Sequence, residues 1–343
     1  MKNFHPWLRF LVWKDSLSMR NAAFLMRRPH RSFKRTMRRD YIRSLKLPGY
    51  WAFTGQVWVY LWERKRTFGM LVLLYAFASI MLGGITTQET FRQVSDLLNT
   101  SAGEVIKGAW GSVGQAGVLL ASAFLTPGNL STEQQTYLGI SSVMLWLTTV
   151  WLLREMMAGR KPRLRDGLYS AGAPVVASLV VVLIAIIQLI PIAIAALAYV
   201  GLLASGLLQE GVGMMLYWAF AVTVATLVLY WMTPTFIALV IVTLPGMYPL
   251  QALRAAGDIV VGRRSRVLYR ILWMALMVIL AWVAVMIPMV LFDTGIKNVI
   301  PVIKDVPFVP VAAALMGSIT AVWTSAYIYI LYRRIVDDDA SPA

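Results

Sequence analysis

Six long apolar stretches decide most of what this chain can fold into. They run over approximately Phe68–Ile85, Tyr137–Leu153, Val175–Val200, Met214–Val242, Val267–Leu291 and Val309–Tyr332. A hydrocarbon core roughly 30 Å thick is crossed by about 20 apolar helical residues. In lipid, every backbone N–H and C=O must find its partner inside the protein, which a helix achieves within one segment. Composition agrees: 59% of the 343 residues are hydrophobic and 14% charged, against roughly 25% charged in soluble domains. The expected fold is all-α: a polytopic bundle of six transmembrane helices, with short interfacial helices and a basic amphipathic N-terminal arm. The expected organisation is an arm over 1–67, a spanning domain over 68–332 and a short tail over 333–343. The opening residues contain no uninterrupted apolar run and no small-residue cleavage site, so no cleaved signal is expected.

Charge placement predicts orientation. The net charge is +16. With both termini in the cytoplasm, the inner segments and Arg270, at the membrane edge, hold 28 of the 32 basic residues. The outer segments keep Arg92, Lys107, Lys297 and Lys304. Lys and Arg accumulate on the cytoplasmic side of short loops, so the asymmetry fits an even number of spans and an inward-facing N-terminus. The Thr233-Pro234 pair is expected to kink the fourth stretch, which is too long for one straight crossing. Pro191 and Pro288 are placed to do the same in the third and fifth, because proline removes a donor and clashes with the preceding turn.

Residues able to carry chemistry are few. Cysteine is absent, and the two histidines, His5 and His30, lie in the arm. No Walker loop, H-E-x-x-H or G-x-S-x-G motif occurs. No catalytic residue, metal ligand or cofactor is assigned. The six stretches carry no ionisable residue away from their ends, which argues against a proton-coupled transporter. Gln188 is the main polar side chain at depth. It either lines a cavity or makes an interhelical hydrogen bond. Asp337, Asp338 and Asp339 read as a solvated acidic tail, and Asp293 and Asp305 as outer-loop acids without an obvious partner.

Two further segments are distinctive. In the arm, Arg27, Arg28, Arg31, Lys34, Arg35, Arg38, Arg39, Arg43 and Lys46 stand against the single acid Asp40, between two aromatic-rich stretches. Aromatic rings favour the headgroup layer, and basic side chains near an anionic leaflet gain roughly 1 kcal/mol each. The arm is therefore expected to lie on the inner leaflet, binding anionic lipid. Topology enforcement alone, or a protein or ribosomal RNA partner, are the other readings. The long outer loop, 86–136, has apolar residues at helix-like intervals between Val105 and Leu120, which suits an interfacial or re-entrant helix. Its glycines at 108, 111, 114 and 117 suit either close packing or a poor helix.

The basic turns share a pattern. Ala158-Gly159-Arg160-Lys161-Pro162-Arg163-Leu164-Arg165-Asp166-Gly167-Leu168 leads into the third stretch. Pro249-Leu250-Gln251-Ala252-Leu253-Arg254-Ala255-Ala256-Gly257-Asp258-Ile259-Val260-Val261-Gly262-Arg263-Arg264 leads into the fifth. In the second, Arg254, Arg263, Arg264 and Arg266 flank apolar Leu250, Leu253, Ile259 and Val260, as expected of a short surface helix and basic turn. These segments resemble the polytopic domain found with some glycerophosphodiester phosphodiesterases and the YciC-like bacterial membrane proteins, over roughly 135–340. The resemblance implies a fold and a bacterial inner membrane, not an activity. The leading expectation is a non-enzymatic integral membrane protein that organises lipid or scaffolds envelope assembly, with the phospholipid bilayer and other membrane proteins as its partners. The alternative is a transporter, or a membrane subunit of one, for an apolar or amphipathic cargo. A lateral lipid-filled groove would favour the first, a polar central cavity lined by Gln188 the second, and clustered carboxylates a lipid-headgroup enzyme.

Overall fold

The computed structural model describes residues 47–83, 131–205, 211–299, 306 and 308–340. The nine basic arm residues, the outer-loop features between 84 and 130, and Asp305 lie outside the described residues. The protein is an all-α polytopic bundle. Its elements are α1 (Tyr50–Glu63), α2 (Lys65–Gly83), α3 (Thr132–Met157), α4 (Leu164–Ala171), α5 (Val175–Ala204), α6 (Gly211–Ile241), α7 (Pro249–Val260), α8 (Arg264–Val299) and α9 (Phe308–Ala340). Six of them, α2, α3, α5, α6, α8 and α9, are long and apolar enough to cross a membrane. They coincide with the six stretches read from the sequence.

The helices overrun those stretches for local reasons. α3 starts five residues before Tyr137 because Ser131 and Gln134 form a capping box. The Ser131 hydroxyl accepts from the Gln134 N–H, and the Gln134 side chain accepts from the Ser131 N–H, which satisfies two orphan donors. α8 continues to Val299, with Lys297 paired to Asp293 at 2.7 Å one turn back. Asp293 therefore has a partner, one helical turn away on the same face. Asp337 belongs to α9, 4.0 Å from Arg333 one turn earlier. That arginine offsets an acid placed at the unfavourable end of the helix dipole.

α5, α6 and α8 run through Pro191, Pro234 and Pro288 respectively. Beside Pro234, the Thr233 hydroxyl donates to the Leu229 carbonyl at 2.9 Å, one residue before the Tyr230 carbonyl whose helical donor the proline removes.

Glycine in the left-handed region marks three of the four turns that flank the short helices α4 and α7. Gly159, Gly246 and Gly262 have φ of 79°, 76° and 80°, where a Cβ would be strained. The two basic turns thus share a plan: α7 and α4 are short helices, each followed directly by a spanning helix. α7 buries Ala252, Ala256 and Val260 on one face and lies on α6 and α5. α4 lies on α3. A Cβ at Gly167 would meet Leu152 at 3.0 Å, so the glycine permits this close approach.

The core gathers at one end of the bundle around α9. Trp323, Ala326, Tyr327, Ile328, Leu331 and Ile335 of α9 are buried there against Leu71 of α2, Val150 and Leu153 of α3, Ile237 and Ile241 of α6, and Val267 and Ile271 of α8. Among the described residues, every Lys and Arg except Lys297 belongs to this basic end. Towards the other end the helices expose their sides. Of the best apolar window, 39% is buried within the protein in α3, but 11% in α5 and 6% in α8. Along α5, Leu183, Ile186, Ile187, Ile190, Ile194 and Leu197 form an exposed apolar face. Such a face is unfavourable in water at about 25 cal/mol per Å² and costs nothing in hydrocarbon.

Candidate functional site

The last part of the segment assigned to the arm, residues 47–67, is built into the bundle. α1 is apolar on nearly every side, so it has two apolar contacts to make. Phe53, Val57 and Leu61, spaced by four, are buried, with Phe53 edge-on to Tyr327 of α9 at 4.8 Å between ring centroids. On the opposite side Trp51, Trp58 and Trp62 are exposed.

Arg270, read from the sequence as a membrane-edge charge, is 7% exposed and sits inside the junction of α1 and α8. Its Nη2 donates to the Pro48 carbonyl, and its guanidinium lies 4.1 Å from the centre of the Tyr50 ring. Among the described residues no carboxylate pairs with this buried cation, which is held by a carbonyl and an aromatic face. Trp273, one turn on, donates its indole N–H to the Thr54 hydroxyl at 3.1 Å and packs on Trp51 at 5.0 Å. Sequence reading missed this seat, because an arginine at the start of a span looks like any other topology charge.

Between α1, α8 and α9 the seat leaves a cleft of about 630 Å³ with an almost wholly apolar lining. Trp51, Gly55 and Trp58 form one wall, Met277 and Val285 a second, Met316 and Trp323 the third. It lies against exposed Trp51 and Trp58, so it opens sideways rather than along the bundle axis.

A second cleft, of about 600 Å³, lies between α3, α4, the start of α5 and the α6–α7 turn, where Trp151, Pro174, Ala177 and Leu244 surround Arg154. The Arg154 Nη1 donates to the Thr243 carbonyl at 2.9 Å. Tyr169, 89% exposed, and Tyr248 stand at its rim. The signal for this cleft was also in the sequence: an arginine closing a span, followed by a tyrosine on a basic turn.

The residues singled out from the sequence separate. Gln188, half-buried on α5, accepts a hydrogen bond from the Thr235 hydroxyl of α6 at 2.9 Å. This is the interhelical alternative of its two readings. Arg254 is exposed on α7. Arg263 departs from the expected flanking role: at 2% exposed it is a wall, its Nε donating to the Ile259 carbonyl at 3.0 Å. Arg264 lies over the Tyr230 ring of α6 at 4.8 Å, and Arg266 is exposed beside it. Among the described residues, no three of His, Cys, Asp and Glu come close enough together to hold a metal. The resemblance drawn from the two basic turns rests on those residues, for the chain matches no family model, no curated protein and no solved structure.

Proposed function

We propose that this is a non-enzymatic integral membrane protein that holds and organises phospholipid. It sits in a cell inner membrane with both termini and the basic end on the cytoplasmic side. The observation that supports this reading best is the sideways-opening apolar cleft between α1, α8 and α9. A cleft of that size falls within the range of roughly 300–1,000 Å³ typical of small-molecule sites. Filling an apolar lining with water is unfavourable, whereas an acyl chain from the surrounding leaflet satisfies it. Gln188 supports the same reading, since its side chain is engaged between helices.

The basic arm, Arg27 to Lys46, belongs to the proposal as a tether for anionic headgroups on the same face. The test is copurification from native membrane, followed by lipid analysis through graded detergent washes. The proposal expects phospholipid retained in fixed ratio to protein after bulk lipid has been removed. Protein that loses all lipid, and that renders reconstituted vesicles permeable to a solute, would favour the transporter.

A further inference from the structure

We propose that the corner where α6, α7 and α8 meet binds the phosphate of an anionic phospholipid. This rests on the lipid-holding reading above and adds the headgroup class and its residues. The corner is a cleft of about 390 Å³, lined chiefly by Tyr230, Arg263, Arg264, Ser265 and Arg266. Its construction follows from the turn. α7 ends at Val260, and Gly262 reverses the chain with φ near 80°. Three arginines within four residues are thereby brought to the head of α8.

The three differ in role. Buried Arg263 bonds back to the Ile259 carbonyl and fixes the last turn of α7. Arg264 lies over the Tyr230 ring, its guanidinium carbon 4.8 Å from the ring centre. A guanidinium carries its N–H donors in a planar fork that suits phosphate oxygens, and the ring beneath it stabilises its charge. Arg266 and Ser265 are exposed next to it. Among the described residues, those lining the cleft include three arginines and no carboxylate, and Asp258 is exposed on α7.

Lipid is favoured over a soluble anion by what adjoins the cleft. Tyr230 shares one face of α6 with exposed Phe220, Leu227 and Trp231, and α6 is a helix fit to cross a membrane. A phosphate on Arg264 and Arg266 therefore has an apolar track for its acyl chains directly beside it.

The experiment titrates the delipidated full-length protein with phosphatidylglycerol and with phosphatidylcholine, reading occupancy by native mass spectrometry. Phosphatidylglycerol should bind more tightly. Arg264→Gln with Arg266→Gln should weaken it by roughly fivefold per arginine, about 25-fold for the pair. Arg160→Gln with Arg165→Gln removes the same charge at the other basic turn and should leave it unchanged. Ser265→Glu, at an exposed position, should weaken phosphatidylglycerol alone and serves if the arginine pair fails to fold. Equal loss in the Arg160 and Arg165 control would overturn the site in favour of diffuse charge. Displacement by inorganic phosphate at the same concentration would overturn it in favour of a soluble anion. If both lipids bind and neither corner variant matters, the corner proposal falls while the lipid-holding reading stands. If the wild type retains no lipid of either kind, the lipid-holding reading falls and takes the corner with it.

Discussion

Replacing Gly55 by leucine separates the stability of the bundle from occupancy of its lateral cleft. Gly55 lines that cleft from α1, and a Cβ built on it meets nothing within 4 Å. Leucine in place of glycine inside a helix is favourable by about 1 kcal/mol. The lipid-free fold should therefore gain, with a rise in melting temperature of roughly 2 °C. The bound chain should lose. If the new side chain displaces three methylenes, each touching about five protein atoms at about 0.1–0.2 kcal/mol per pair, the gross loss is roughly 2 kcal/mol. A displaced chain recovers about half of that against detergent or lipid, leaving roughly a fivefold weaker hold. Intrinsic tryptophan fluorescence on heating reads the first quantity, and native mass spectrometry through graded washes reads the second. A melting temperature that falls, or lipid retention equal to wild type, would mean that Gly55 does not border an occupied cleft.

Four further outcomes follow from the same structure. Arg270→Ala should cost about 2 kcal/mol, the worth of a charged hydrogen bond with its cation–π contact; amide exchange over 47–63 should quicken while α5 is unaffected. Thr235→Val should cost about 1 kcal/mol or less, as an interhelical bond does, and a larger loss in thermal unfolding would give Gln188 another role. Single cysteines in the cysteine-free background should react with an impermeant thiol reagent from outside at Ser95, Ser205 and Thr294, but not at Ser16, Ser265 or Ser341; outside labelling of Ser16 or Ser341 would invert the topology. A peptide spanning 27–46 should bind vesicles more as anionic lipid rises and less as salt rises, and indifference to lipid charge would reduce the arm to a topology signal.

The spanning helices were legible because hydropathy acts over 20 residues at once and tolerates local noise. Their ends were not, since they depend on single contacts: the Ser131–Gln134 box at the head of α3 and the Asp293–Lys297 pair near the end of α8. α1 shows a deeper limit. Its tryptophans and valines announce an apolar helix, but a composition apolar all round does not say which side meets protein. Only the positions of Tyr327 and Trp273 decide that Phe53 faces inward and Trp58 outward. Arginine is ambiguous in the same way. Arg254, Arg263 and Arg270 look alike in sequence, yet one is exposed and two are buried, because burial depends on whether a carbonyl or ring lies within reach.

The lateral cleft is tested most directly by a phospholipid carrying a photoactivatable group in its acyl chain, crosslinked to the protein in membrane and mapped by peptide mass spectrometry. If lipid occupies the cleft, adducts concentrate on its walls at Trp58, Met277 and Met316 and are lost from them in Gly55→Leu. Adducts that follow exposure alone, falling mainly on Leu183, Ile187 and Ile194 of α5 and unchanged by the substitution, would contradict that occupancy.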